Sequence, residues 1–247
     1  MSYAFDQWGY MVTGWWKDPT NDFYYFDRNS GAMQKGWVWD GAWYYLDSDF
    51  GFMYSDGLFT INGNLYCLKP DGAMVTGWYF YDYDPTDEWR GNWFYFNEDG
   101  TPYDGWLLDG GWWYYIQEGY MMNNTTFSPG LSTGTGDETT WVFDASGHLI
   151  YGGWHWHEFE DGYGFWSLSN ADGTGYTGWI WENYHWYYIS RGYMVHNATF
   201  TAPDGYTYAF DGNGYLATSG GWLWLGDSEY DAWTYTDENG IVLTNDW

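Results

Sequence analysis

The sequence predicts an all-β fold, a solenoid of stacked β-hairpins that is superhelical with about three hairpins per turn. Three observations predict it. A Gly-Trp pair opens an aromatic strand again and again along the chain, as at Gly36-Trp37, Gly105-Trp106 and Gly178-Trp179. A polar or glycine-bearing turn and a returning aromatic strand follow each opening, as in Asp40-Gly41 and then Trp43-Tyr-Tyr-Leu46. The composition then removes the ordinary alternative: 25 Leu, Ile and Val stand against 66 Phe, Trp and Tyr, so rings are expected to supply most of the apolar burial. A hairpin alone is marginal in water, so each must stack on its neighbours to bury an aromatic face.

The elements follow in order. Residues 1–13 read as a partial hairpin, the returning strand of a unit whose first strand is missing, so the chain is expected to be a piece of a longer exported protein. Ten hairpins then open near 14, 36, 57, 77, 105, 124, 153, 178, 197 and 221, and residues 1–247 read as a single repeat domain. Those opening at Gly14, Gly77, Gly153 and Gly221 have long turns, and those at Gly36, Gly105 and Gly178 have tight ones. At Gly36, Asp40-Gly41 reads as a two-residue turn between Trp39 and the returning strand. The slots near 57, 124 and 197 lack the opening Trp. The order long, tight, degenerate therefore recurs as a superperiod, and one turn of a superhelix per three hairpins is its simplest physical cause.

Charge and cysteine content exclude several classes. With 34 Asp and Glu against 6 Lys and Arg, the net charge of −28 repels phosphates, which removes nucleic-acid binding and adhesion to anionic lipid. No apolar run approaches the ~18 residues of a membrane span, and the N-terminus lacks the regions of a signal peptide. The lone Cys67 excludes an internal disulfide framework and falls where the repeat has an aromatic, so it reads as core.

Gly36 to Met53, Gly105 to Met121 and Gly178 to Met194, with the junctions Met11-Val-Thr-Gly-Trp15 and Met74-Val-Thr-Gly-Trp78, resemble the choline-binding and glucan-binding repeats of Gram-positive surface proteins, the cell-wall-binding repeat family. The resemblance covers essentially the whole chain. It implies ligand sites between consecutive hairpins, made from two aromatics of one repeat, a third from the next, and often the Met. Carried onto this sequence, those residues are Trp37 with Trp43, Trp106 with Trp113, Trp179 with Trp186, Trp78 with Trp93, and Met53, Met121 and Met194. The long hairpins match less well and offer Trp15, Trp154 with Trp166, and Trp222 with Trp233.

An electron-rich cage attracts a quaternary ammonium by roughly 0.5 to 2 kcal/mol per ring face, and acidic surroundings add a long-range pull. Flat exposed rings with Asp and Asn nearby suit a pyranose instead. The partner is therefore expected to be choline-bearing teichoic acid or a glucan polymer, bound without catalysis by a module secreted to the cell surface of a Gram-positive bacterium. A third reading makes the aromatic ladder all core and the long acidic turns a contact for a protein partner.

His155 and His157, two apart on a strand and near Glu158, Glu160 and Asp161, carry donor types that could hold a metal, and Asp82, Asp84, Asp87 and Glu88 could bind calcium in the long turn. The first lacks ligand spacing, and the second lacks the glycine and final glutamate of an EF-hand. Neither metal nor cofactor is expected. No nucleophile with its base and no framed carboxylate pair is visible, so no enzyme activity is expected.

Overall fold

The computed structural model describes residues 2–82, 91–132, 134, 137–159, 161–226 and 232–243. Two compact units are present, Met1–Trp106 with Tyr115–Met121, and Leu107–Tyr114 with Met122–Trp247.

The first unit carries β1 (Gly14–Lys17), β2 (Phe23–Phe26), β3 (Gly36–Trp39), β4 (Trp43–Leu46), β5 (Gly57–Ile61), β6 (Asn64–Leu68), β7 (Gly77–Asp82) and β8 (Gly91–Phe96). The division between the units runs through β9 (Gly105–Asp109) and β10 (Trp112–Gln117), and β11 (Tyr120–Met121) returns to the first unit. The second unit continues with β12 (Thr125–Phe127), a short helix α1 (Pro129–Ser132), β13 (Trp141–Phe143), β14 (Gly153–Glu158), β15 (Gly164–Ser169), β16 (Gly178–Glu182), β17 (His185–Ser190) and β18 (Tyr193–Met194). It ends with β19 (Ala198–Thr201), β20 (Thr207–Phe210), β21 (Gly221–Leu225) and β22 (Ala232–Thr236). The strands pair as antiparallel hairpins, and the chain is a β-hairpin repeat solenoid as the sequence predicts.

Each opening glycine faces the innermost residue of its returning strand: Gly14 opposite Phe26, Gly36 opposite Leu46, Gly57 opposite Leu68, Gly77 opposite Phe96 and Gly178 opposite Ile189. Those partners are buried, so the end of each returning strand forms the core. Gly14 and Gly36 both hold φ at +73°, where a side chain is strained, which is why glycine precedes the Trp.

Successive hairpins are tied by one recurring backbone bond. In the first unit the amides of Met53 and Met74 donate to the carbonyls of Phe23 and Trp43 at 2.7 and 2.8 Å, and in the second Leu216 donates to Trp186 at 2.9 Å. The Met side chain then lies on the next turn glycine. A Cβ built on Gly72 would fall 2.4 Å from the Met53 sulfur, and one on Gly214 would fall 2.8 Å from that of Met194.

The structure corrects three expectations. Trp39 pairs with Trp43, so the Gly36 hairpin closes through three residues, Asp40, Gly41 and Ala42, with only Gly41 left-handed. A two-residue hairpin turn of type I′ has positive φ at both central residues, as at Asn62-Gly63, Gly110-Gly111 and Asn183-Tyr184. Rings fill the core only as Phe and Tyr: Phe94, Phe96, Phe143 and Phe210 are its largest fully buried side chains, whereas no Trp among the described residues is fully buried. Phe shares the inward positions with Leu and Ile, since the inward end of the strand falls on the last letter of each Trp-Tyr-Tyr-Leu motif. Finally, β11 and β18, each two residues long, join neighbouring hairpins into five-stranded sheets, with Tyr120 opposite Phe94 and Tyr193 opposite Ser167.

The acidity has a local role as well. Asp27 Oδ1 accepts the amides of Asn29 and Ser30 at 3.1 and 2.7 Å, and Asp211 Oδ1 accepts those of Asn213 and Tyr215 at 2.9 and 2.8 Å. Such turns follow most returning strands, and the bonds hold the Asp27 carboxyl below the usual carboxylate range.

Candidate aromatic cages

Where a long hairpin meets the following tight one, each unit forms an aromatic recess of the same plan. In the second unit a cavity of about 560 Å³ is walled by Trp154, Trp156 and Trp166 of the long hairpin and by Tyr187 and Met194 of the tight one. Trp154 stands at 90° to Trp166 with ring centroids 6.4 Å apart, and Tyr187 meets Trp154 at 5.6 Å and 62°. The perpendicular walls leave a corner into which ring faces look. Glu182, Asn183, His196 and Asn213 line the same cavity as polar groups.

The first unit repeats the plan with Trp15 and Phe23 of the long hairpin and Tyr44 and Met53 of the tight one around about 360 Å³. Trp15 meets Tyr44 at 4.7 Å and 69°. Burial pushes the Tyr44 and Tyr187 phenols up, so both rings stay neutral and keep their π faces.

The opening Trp of each recess is anchored by an acid on the next hairpin. Trp154 Nε1 donates to Glu182 Oε2 at 2.6 Å, and Trp15 Nε1 donates to Asp40 Oδ2 at 3.0 Å. Glu182 and Asp40 both stand four residues after the tight hairpin's opening glycine. The bond fixes the ring plane and places negative charge beside the recess.

The tight hairpins carry the same corner. Trp179 lies 6.2 Å from Trp186 at 89° and 4.8 Å from Tyr208 at 82°, and Trp37 lies 4.8 Å from Tyr66 at 64°. Trp37, Trp106 and Trp179 are half-buried, and Trp43, Trp113 and Trp186 are exposed. Trp43 packs against Trp39 at 5.5 Å and Trp106 against Tyr115 at 5.3 Å. Trp78 and Trp93 meet at 6.4 Å and 85° in the first unit. Met53 and Met194 line the two recesses, whereas Met121 is buried opposite Ile116.

Trp15, Trp154 and Trp166, which the sequence offers second to the tight-hairpin pairs, line these recesses together with Phe23, Tyr44 and Tyr187, which it does not single out. The signal is present in the sequence: the long hairpins at Gly14, Gly77 and Gly153 each precede a motif with an acid at its turn and a Tyr second in its return.

The third slots depart from the plan. Cys67, Val75, Phe94 and Phe96 with Leu58, Tyr79 and Tyr81 fill that junction as a core cluster, and burial pushes the Cys67 thiol up to about 12. At the corresponding place in the second unit His157 is buried, with Nε2 2.7 Å from Ser167 Oγ and Nδ1 3.3 Å from Asn124 Oδ1. His155 and His157 do share a strand face, with ring centroids 4.7 Å apart, but both His157 nitrogens are engaged. No cluster of three His, Cys, Asp or Glu able to hold a metal occurs among the described residues. Glu160 and the loop residues Asp84, Asp87 and Glu88 lie outside them. No helix among the described residues is long and apolar enough to cross a membrane.

No protein-family model matches the chain, and no curated protein sequence matches it. Solved structures do. CbpJ from Streptococcus pneumoniae is 28% identical over 87% of this chain and 61% of its own, with a TM-score of 0.41. Choline binding protein F of the same organism, solved with a tetrasaccharide-pentapeptide analogue of peptidoglycan, is 28% identical over the same shares, with a TM-score of 0.39. The modular autolysin LytC of S. pneumoniae is 22% identical over 94% of this chain and 53% of its own, with a TM-score of 0.44. The chain thus spans between half and two thirds of the length of these proteins. In its hairpin motifs and over most of its length, the chain is similar to the choline-binding, cell-wall-binding repeat proteins of streptococci.

Proposed function

We propose that the chain is a non-catalytic binding module that holds the quaternary ammonium of choline in its aromatic recesses. It would thereby attach an exported protein to choline-bearing teichoic acid on a Gram-positive cell surface. One observation carries the reading: the corner of Trp154, Trp166 and Tyr187, with Glu182 bonded to the indole beside it. A methylated ammonium has no hydrogen-bond donors to satisfy, so ring faces replace its hydration without a polar penalty. Each face is worth roughly 0.5 to 2 kcal/mol as the site desolvates. The net charge of −28 favours approach of a cation.

A glucan is less well served. The walls stand at 90° and 62° to one another, whereas a pyranose stacks best on a flat open ring. The half-buried state of Trp37, Trp106 and Trp179 also argues against an aromatic ladder that is all core. Calorimetric titration tests the reading. Choline should give saturable heat that a maltooligosaccharide does not reproduce, and heat from the glucan alone ends the proposal.

A further inference from the structure

The two recesses share a plan but not a charge environment: Asp71 lines the first where Asn213 lines the second, and two of the chain's own six cations stand at the first, offsetting its two acids, Asp40 and Asp71, while Glu182 stands alone at the second. The third residue after the opening glycine pairs across the hairpin with the first ring of the returning strand. That pair is aromatic in Trp39 with Trp43, Phe80 with Trp93, Trp156 with Trp166, Trp181 with Trp186 and Trp224 with Trp233. In the first long hairpin it is Lys17 with Phe23. At the place where Trp156 walls the second-unit recess, the first long hairpin carries an ammonium, and Lys17 Nζ lies 5.0 Å from the centroid of Phe23, a ring that lines the first recess.

The anchoring acids differ in the same sense. Arg28 Nη2 donates to both Asp40 oxygens at 3.0 Å, neutralising the carboxylate that holds Trp15. Glu182, which holds Trp154, takes part in no ion pair among the described residues. Two cations therefore attend the first recess, one on a cage ring and one on the cage acid, and neither has a counterpart at the second.

We propose that the chain grades its own cation sites: Lys17 and Arg28 act as internal competitors that weaken the Trp15–Phe23–Tyr44 recess, leaving the Trp154–Trp166–Tyr187 recess as the tighter site. The inference rests on the cation-binding reading above. A ring already facing an ammonium attracts a second cation less, and a paired carboxylate adds little field. The acidic composition would suggest equal sites, so the ranking follows from where the few cations stand.

Met53 and Met194 allow each recess to be read separately, because each lines only one. Protein labelled with [methyl-13C]methionine would be titrated with choline chloride, with the two methyl signals assigned from Met53→Leu and Met194→Leu variants. In the unaltered chain the Met194 signal should reach half-saturation at roughly three- to tenfold lower choline than the Met53 signal, the fold-change of one weakened ring contact. Lys17→Met and Arg28→Gln should each lower the Met53 midpoint and leave that of Met194 in place. Lys17→Trp, which rebuilds the aromatic wall, should lower it further. Lys35→Met removes the same charge elsewhere and should move neither midpoint by as much. Equal midpoints in the unaltered chain, or a Lys17→Met variant that behaves like Lys35→Met, would overturn the ranking while leaving choline binding intact. If neither methyl responds to choline, the cation-binding reading fails and the ranking falls with it.

Discussion

Acidification should destabilise the second unit through His157, and the structure sets the size of the effect. The imidazole is fully buried, stacked 4.3 Å from the Phe165 ring at 8°. Asn124 Nδ2 donates to the Glu158 carbonyl at 2.7 Å, which turns Asn124 Oδ1 toward His157 as an acceptor. Nδ1 therefore carries the proton, and Nε2 accepts from Ser167. A second proton is not opposed by hydrogen bonding, because the Ser167 hydroxyl has the His155 carbonyl 3.5 Å away as an alternative acceptor. What opposes it is burial, with the neighbouring His155 adding to it and Asp144 only partly offsetting it. Together they lower the His157 pKa from 6.5 to about 4. The unfolded chain then binds more protons than the folded one between those values, so stability is fully present above pH 6.5 and is lost as the pH falls toward 4. At 1.36 kcal/mol per unit the loss approaches about 3 kcal/mol. Urea denaturation at pH steps from 7 to 4 would measure it in the native chain and in His157→Gln, which keeps polar groups but does not titrate in this range. The difference between the two profiles should shrink on acidification, since contributions of the many carboxylates cancel. Parallel profiles would refute the assignment of the buried, neutral imidazole.

Other outcomes follow from the same contacts. Trp154→Ala should abolish the choline response of the Met194 methyl, while Glu182→Gln, which keeps an acceptor for the indole, should weaken it by less than Glu182→Ala does. Gly214→Ala forces a Cβ to within 2.8 Å of the Met194 thioether at a φ of +79°, and should cost about 1–3 kcal/mol in thermal unfolding experiments. Ser169 occupies the innermost place that Phe, Leu or Ile fills in other hairpins, and its buried hydroxyl has no partner. Ser169→Ala should therefore stabilise the protein by about 1 kcal/mol, read as a raised denaturation midpoint. Cys67, buried with its thiol pushed up to about 12, should resist a thiol reagent at pH 8 until the protein is unfolded.

The repeat was legible because hairpin formation is local. Glycine before Trp, a turn residue able to take positive φ, and four residues of return are all contained in one short stretch, so Gly178-Trp179 through Ile189 declares itself without its neighbours. Which rings meet was not legible, because that depends on the residue next door in space. Trp15 lies against Tyr44 and Trp154 against Tyr187, partners 29 and 33 residues away that no hairpin motif connects. Which rings enter the core, Phe rather than Trp, was not legible for a related reason. Composition counts aromatics but does not say that pleating turns the last residue of each return inward and leaves Trp at the open end.

By itself, then, the sequence determined a β-hairpin solenoid, the positions of its hairpins, and an acidic, aromatic-rich surface suited to a cation. Only tertiary structure decided where a cage closes. Stacking places the acid of one turn on the indole of the hairpin before it at the junctions of Trp15 with Asp40 and Trp154 with Glu182. It also sets Arg28 of one hairpin on the cage acid of the next. Charge acts through distance, and distance between hairpins is not written in any one of them.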